Sequence, residues 1–154
     1  MSGTIEARLQ ELGIELPDAP APAANYVPTT MTDDMLYVSG QIPMGPNGPE
    51  YIGKLGDGMD VEGGQAAARL CAINILAQAR TALGDLDRIV QVMKLQGFVN
   101  ATADFTHHPE VINGASDLMV EVLGDKGRHA RAAVGMGSLP RGVAVEVDAV
   151  IRFR

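Results

Sequence analysis

The run Arg128-His-Ala-Arg-Ala-Ala-Val-Gly-Met-Gly-Ser-Leu-Pro-Arg-Gly-Val-Ala-Val-Glu-Val-Asp-Ala-Val-Ile-Arg-Phe153 decides the fold class. It reads as two strands joined by Leu139-Pro140-Arg141-Gly142. The second strand alternates strictly, with Val143, Val145, Val147, Ala149, Ile151 and Phe153 on one side and Glu146, Asp148 and Arg152 on the other. Such a period places one face against a core and leaves the other free for chemistry or water. The first strand carries Arg131 among small apolar neighbours. If the two strands lie near each other, a carboxyl and a guanidinium sit beside one apolar core, a plausible way to hold a small carboxylate next to a water. An ordinary sheet with a solvated outer face has the same pattern, so the pattern alone leaves both readings open.

Outward from this run, the chain alternates strands and helices. Thr4 to Leu12 has Ile5, Leu9 and Leu12 at helical spacing, with Thr4 as the expected N-cap. Leu16 to Ala24, rich in Pro and Ala, reads as extended linker. Strands are expected at Asn25–Thr30 and Met35–Gln41 around a turn at Thr32-Asp33-Asp34, and Pro46-Asn47-Gly48-Pro49 is a further turn signal. A long helix is expected over Val61–Leu83, stopped by Gly84. One of its faces carries Ala68, Cys71, Ala72, Ile75, Ala79, Ala82 and Leu83; a second stripe of Ala66, Leu70, Ile73 and Ala77 needs another neighbour, either a helix or a second subunit. A strand over Ile89–Val99 and a helix over Pro109–Leu123, ended by Gly124, complete the order. Strands, helix, strand, helix, strands is an α+β arrangement, with two helices against one face of a mixed or mostly antiparallel sheet.

At 154 residues the chain can form one domain with a core that needs no staples. The lone Cys71 excludes an intramolecular disulfide and fits a reducing cytoplasm, and its place in a helical pattern points to packing. No stretch has the length of a membrane span and no signal peptide is visible. A formal charge of −7 disfavours a phosphate backbone as partner. His107, His108 and His129 are expected in solvated loops, and no zinc spacing exists, so no metal is assigned. Gly48 to Lys54 has the front of a phosphate loop, but Leu55 stands where a magnesium-binding hydroxyl is needed and no helix follows at once.

Several ordered blocks resemble one family. Tyr37-Val-Ser-Gly-Gln-Ile-Pro43, Gly97-Phe98-Val99, Asp104-Phe105, Val111-Ile112-Asn113, Ala130-Arg131-Ala132-Ala133-Val134, Leu139-Pro140 and Val145-Glu146-Val147-Asp148-Ala149 are similar, in that order, to the Rid (reactive intermediate deaminase) or YjgF-like proteins, also titled endoribonuclease L-PSP. The resemblance runs from about Ala23 to the C-terminus. It divides the chain into an N-terminal helix and extended appendage, 1–22, and a family domain, 23–154. It implies a chorismate-mutase-like fold, three subunits around a central barrel, and clefts between neighbours.

The resemblance also implies chemistry: hydrolysis of small 2-imino or 2-enamino acids to 2-keto acids and ammonia, without a cofactor. Arg131 then grips the substrate carboxylate with a planar fork that stays charged at working pH. Glu146 matches the family's acid, able to deliver water to the C=N carbon and a proton to the departing nitrogen. Pattern alone does not separate Glu146 from Asp148. Tyr26, Ser39, Gly40 and Asn113 match cleft-lining positions. Ala133 stands where many members have cysteine, so substrate contact there falls to the backbone and a thiol role is absent. The loop Thr106-His107-His108-Pro109 is longer than usual and reshapes the pocket mouth. Two alternatives use the same sequence: a non-catalytic binder of small carboxylates, and the ribonuclease or translation-inhibitor role of the family's other name. Acidity and the lack of a basic, aromatic stripe count against the latter.

Overall fold

The computed structural model describes residues 3–154. Its main sheet has strands β1 (Thr29–Met31), β2 (Met35–Gln41), β3 (Ile89–Asn100), β4 (Ala130–Met136) and β5 (Val145–Phe153), in the spatial order β1-β2-β5-β3-β4. Helices α1 (Thr4–Glu11), α2 (Val61–Leu83) and α3 (His108–Leu123) complete the frame. All pairings are antiparallel except β3 with β4, so the sheet is mixed. Between β2 and α2, Met44–Gly45 pairs with Gly48–Pro49 around Pro46-Asn47, where the turn was expected.

The last strand lies in the middle of the sheet. β5 fills the slot between β2 and β3 because its alternation supplies one continuous apolar row: Val145, Val147 and Ile151 are fully buried, and Ala149 nearly so. This corrects the picture of the final two strands as close neighbours. β4 uses one edge of β3 from Lys94↔Ala130 to Asn100↔Met136, so the chain must cross the end of β3 to reach the other edge. Pro140–Gly142 forms a short 3-10 turn on this crossing, with Arg141 at φ 58° and Gly142 at φ 73°.

α2 has the expected limits. Asp60 caps its first turn by accepting the Gly63 N–H at 2.7 Å, and Gly84 ends it in the left-handed region at φ 79°. Its principal face packs on the sheet, and α3 lies beside it. The second stripe finds cover within the same chain, so it does not by itself require another subunit. Asn74 Nδ2 donates to the carbonyls of Ile42 and Met44, Gln78 Nε2 to that of Pro20, and Arg80 Nη2 to that of Leu16. These bonds hold the loop after β2 and the Pro-rich linker along that side of the helix, leaving Leu70 and Ile73 only partly exposed in a groove.

At the N-terminus, Gly3, and not Thr4, occupies the cap position, and it provides no side-chain bond. The missing acceptor comes from far along the chain: Asp87 accepts the Thr4 and Ile5 N–H groups at 2.8 and 2.9 Å. Those two bonds hold the Asp87 carboxyl below its ordinary range. Ile5, Leu9 and Leu16 are buried in the same cluster as the sheet and the longer helices.

The sheet therefore has two unlike faces. Leu36, Leu95, Val99 and Val147 are fully buried under the helices. The opposite face is open and still carries apolar side chains, with Tyr37 45% and Val134 42% exposed. The architecture is α+β, a mixed five-stranded sheet with its helices on one face.

Candidate functional site

On the open face, Glu146 lines a cleft of about 500 Å³ together with Tyr26, Ser39, Gly40 and Arg141. A bulge makes the wall. Val38 pairs with Ala149 and Gln41 with Val147, so Ser39 and Gly40 together oppose a single residue of β5. The bulge brings the Gly40 backbone against Glu146, where a Cβ would lie 2.9 Å from Oε2. Ser39 Oγ donates to the Val27 carbonyl at 2.8 Å and fixes the approach to β1, while the Tyr26 hydroxyl accepts the Ala23 N–H at 3.3 Å. Pro20 to Ala24 form another wall.

Glu146 is half-buried here. Burial, and then the nearby Asp148 carboxylate, push its carboxyl above the ordinary range. Among the described residues no hydrogen bond reaches this carboxylate. Asp148 is also raised by burial, but Lys94 opposes the shift, and Asp148 is not part of the cleft wall. The two acids that the strand pattern left equivalent thus stand in different surroundings.

Arg131 sits elsewhere. It is opposite Leu95 in the β3–β4 register and shares Leu95's helix-covered face. Its guanidinium reaches α3: Nη1 donates to Asn113 Oδ1 at 2.8 Å and to Ser116 Oγ at 3.1 Å, and Nη2 donates to the Pro109 carbonyl at 3.4 Å. All three acceptors are neutral. Five N–H donors less these three leave the Nε hydrogen and one Nη2 hydrogen without a partner among the described residues. Ala133, two residues on, shares this face, packs against the core edge and lies opposite Gly97. The loop 106–109 does more than border the site, since His108 and Pro109 open α3 and Pro109 supplies one of the carbonyls that hold Arg131.

The structure thus gathers Tyr26, Ser39, Gly40 and Glu146 in one place, and Arg131, Asn113 and Ala133 in another. β3 lies between their strands, and the two sets face opposite sides of the sheet. Within one chain they do not form a single pocket.

Two further residues belong to the Arg131 group. His129 is half-buried rather than solvated, with Nε2 2.8 Å from Ser116 Oγ and Nδ1 2.6 Å from the Gly127 carbonyl. Ser116 stands one helical turn beyond Asn113, and His129 two residues before Arg131, so spacing offered a signal for both. Nothing local, however, indicates that the loop before β4 folds back onto α3.

Comparison with known proteins agrees with this architecture. The family model described as "YjgF/chorismate_mutase-like, putative endoribonuclease" matches residues 6–146. Protein TCP17 of Trypanosoma cruzi is 52% identical over 153 residues, covering 99% of this chain and 96% of that protein. The crystal structure of Atu1372 from Agrobacterium tumefaciens is 52% identical with a TM-score of 0.91, covering 97% of this chain and 92% of that one. An endoribonuclease-named structure from Shewanella oneidensis is 36% identical with a TM-score of 0.94, covering 98% of this chain and 100% of that one. The family match takes in most of α1, so it starts well before the point at which the sequence blocks begin. With the family match spanning residues 6–146 and a relative 52% identical over nearly the whole chain, the protein belongs to the YjgF/chorismate-mutase-like family.

Proposed function

We propose that the protein hydrolyses small 2-imino and 2-enamino acids to 2-keto acids and ammonia. The position of Glu146 carries this reading: a half-buried carboxyl with a raised pKa, free of hydrogen bonds among the described residues, in an open cleft. A carboxyl raised by burial and facing an open cleft can both take up and give back a proton, as general acid–base catalysis needs. Ionised Glu146 takes a proton from water as the oxygen bonds to the C=N carbon. The substrate reacts as the protonated imine, C=NH2+, so addition gives the neutral tetrahedral carbinolamine. Glu146 then returns its proton to the amino nitrogen, the C–N bond breaks to release ammonia, and the remaining hydroxyl gives its proton to that ammonia, leaving C=O and ammonium. One water is consumed and no electrons are transferred.

The reaction also needs a grip on the substrate carboxylate, and the open fork of Arg131 suits it. Because Arg131 and Glu146 lie on opposite faces, the complete site in this reading forms between chains, with Arg131 of one meeting Glu146 of the next. The apolar open face around Tyr37 and Val134 suits burial in a closed ring, and we assign a homotrimer. Such a site needs no cofactor for the steps above.

The test generates imines in situ with an amino-acid oxidase and follows ammonia and keto-acid release. Acceleration by the protein is expected, and release at the uncatalysed rate would leave only a carboxylate-binding role. Light scattering should give three times the chain mass, and a stable monomer at micromolar concentration would remove the shared site. The endoribonuclease designation of the family favours a second reading, RNA cleavage, which salt-dependent cutting by nuclease-free protein would establish.

A further inference from the structure

We infer that Ser116 and His129 are positioning residues that fix the plane of the Arg131 guanidinium, through a directed hydrogen-bond relay running from Gly127 to His129 to Ser116 to Arg131. This rests on the reading of Arg131 as the carboxylate grip.

The direction of each bond follows from the atoms. The Gly127 carbonyl only accepts, so His129 Nδ1, at 2.6 Å, carries the imidazole hydrogen. Burial lowers the His129 pKa and keeps the ring neutral at ordinary pH. Its Nε2 is then an acceptor, and the group 2.8 Å away able to donate is the Ser116 hydroxyl. With its hydrogen turned to His129, the Ser116 oxygen presents lone pairs to Arg131 Nη1 at 3.1 Å. Asn113 Oδ1 takes the other Nη1 hydrogen at 2.8 Å. Two acceptors on one nitrogen lock the plane of the guanidinium and leave the Nε/Nη2 edge as the fork for a carboxylate.

The start of the relay is fixed as well. A Cβ on Gly127 would fall 2.1 Å from the Met119 carbonyl oxygen, so the chain there lies directly on α3 and its carbonyl has little freedom. Ser116 has a further constraint. Its hydrogen is committed to His129, so it cannot turn to compete for Asn113 or for the ligand. Within the relay, His129 reaches Arg131 through Ser116.

The test uses the full chain and pyruvate as probe, with the dissociation constant read by calorimetry and the kinetic constants by imine turnover. Ser116→Ala should weaken pyruvate binding and raise KM by about 10-fold, the effect of one charge-assisted hydrogen bond, with kcat changed far less. Alanine is a better helix former than serine, so folding of this variant is not in question. Ser116→Thr retains the hydroxyl and should restore most of the affinity. His129→Ala should show a smaller loss, and the double variant should be no worse than Ser116→Ala alone, because the two act in series. Unchanged pyruvate affinity in Ser116→Ala, with only a lower melting temperature, would overturn the inference, as would multiplied losses in the double variant. Absence of pyruvate binding by the wild type at millimolar concentration would overturn it too. If the wild type binds pyruvate but turns over no imine, the deaminase reading fails; the relay is then decided by affinity alone.

Discussion

The two halves of the candidate site are built in opposite ways. Arg131 is held by three bonds to neutral acceptors from α3, so its plane is set before any ligand arrives. Glu146 has no hydrogen-bonded donor among the described residues and is surrounded by a strand bulge, a glycine and a Pro-rich segment. The difference matches the tasks proposed for the two groups. A group that only grips benefits from being fixed, and fixation costs it nothing because its charge never changes. A group that must take up and give back a proton is hampered by donors, since they favour the ionised form and depress its pKa. Burial, in place of bonding, raises the Glu146 carboxyl above its ordinary range.

Four experiments can break or sharpen this contrast. The largest effect belongs to the acid. Glu146→Gln should lower imine turnover by about two to four orders of magnitude while pyruvate affinity stays within a few-fold. Asp148→Asn, outside the cleft wall, should remain largely active, and the reverse outcome would give the proton-transfer role to the wrong carboxyl here.

The second experiment asks whether the halves come from different chains. Arg131→Lys keeps the charge but loses the paired bonds, so it should also be poorly active. Equal amounts of Arg131→Lys and Glu146→Gln chains, denatured and refolded together, should regain about a quarter of wild-type activity, because a quarter of randomly assembled interfaces unite the two intact halves. No recovery, with mixed assemblies verified by mass spectrometry, would place both groups in one chain's pocket.

The third effect is on stability. A carboxyl whose pKa is raised on folding binds its proton more tightly in the native state, so the native state loses stability as pH rises above the unfolded value. Glu146→Gln should therefore raise the melting temperature at neutral pH, with the gain fading toward pH 4. A gain independent of pH would mean that burial of the charge is not what raises the pKa.

The smallest concerns Asp87, where bonding rather than burial rules. Its carboxyl is lowered by the Thr4 and Ile5 N–H groups, so its contribution is present above the unfolded value and lost as the pH falls through the folded one. Asp87→Ala should cost about 1 kcal/mol at neutral pH, the usual effect of a lost helix cap. Urea unfolding at pH 7 and pH 3 should show the difference between variant and wild type shrinking at the lower pH.

What could be read in advance follows the range of each interaction. The limits of α2 were legible because the stop at Gly84 and the apolar periodicity that starts at Val61 are local; the cap that opens it, Asp60, is the residue just before. The faces of β5 were legible because alternation is a property of the strand itself. The order of the strands was not, since inserting β5 between β2 and β3 depends on partners more than a hundred residues apart at β2. The same limit applied at the site. Glu146 and Arg131 could be named from motif resemblance, but their separation on two faces depends on sheet order. The bulge at Ser39 and Gly40 and the relay through Ser116 and His129 arise from register and from contacts between distant segments, which periodicity does not encode. Covering the second stripe of α2 with the Pro-rich linker is the same kind of event.

The arrangement at α1 carries a consequence for how the chain is made. Its cap acceptor, Asp87, and much of its apolar cover on α3 are translated after it. A helix of 8 residues is too short to persist alone in water. During synthesis, α1 must therefore remain unstructured until Asp87 and α3 have followed it. The first helix in the sequence is among the last to settle, and its docking reports that the remainder has already assembled.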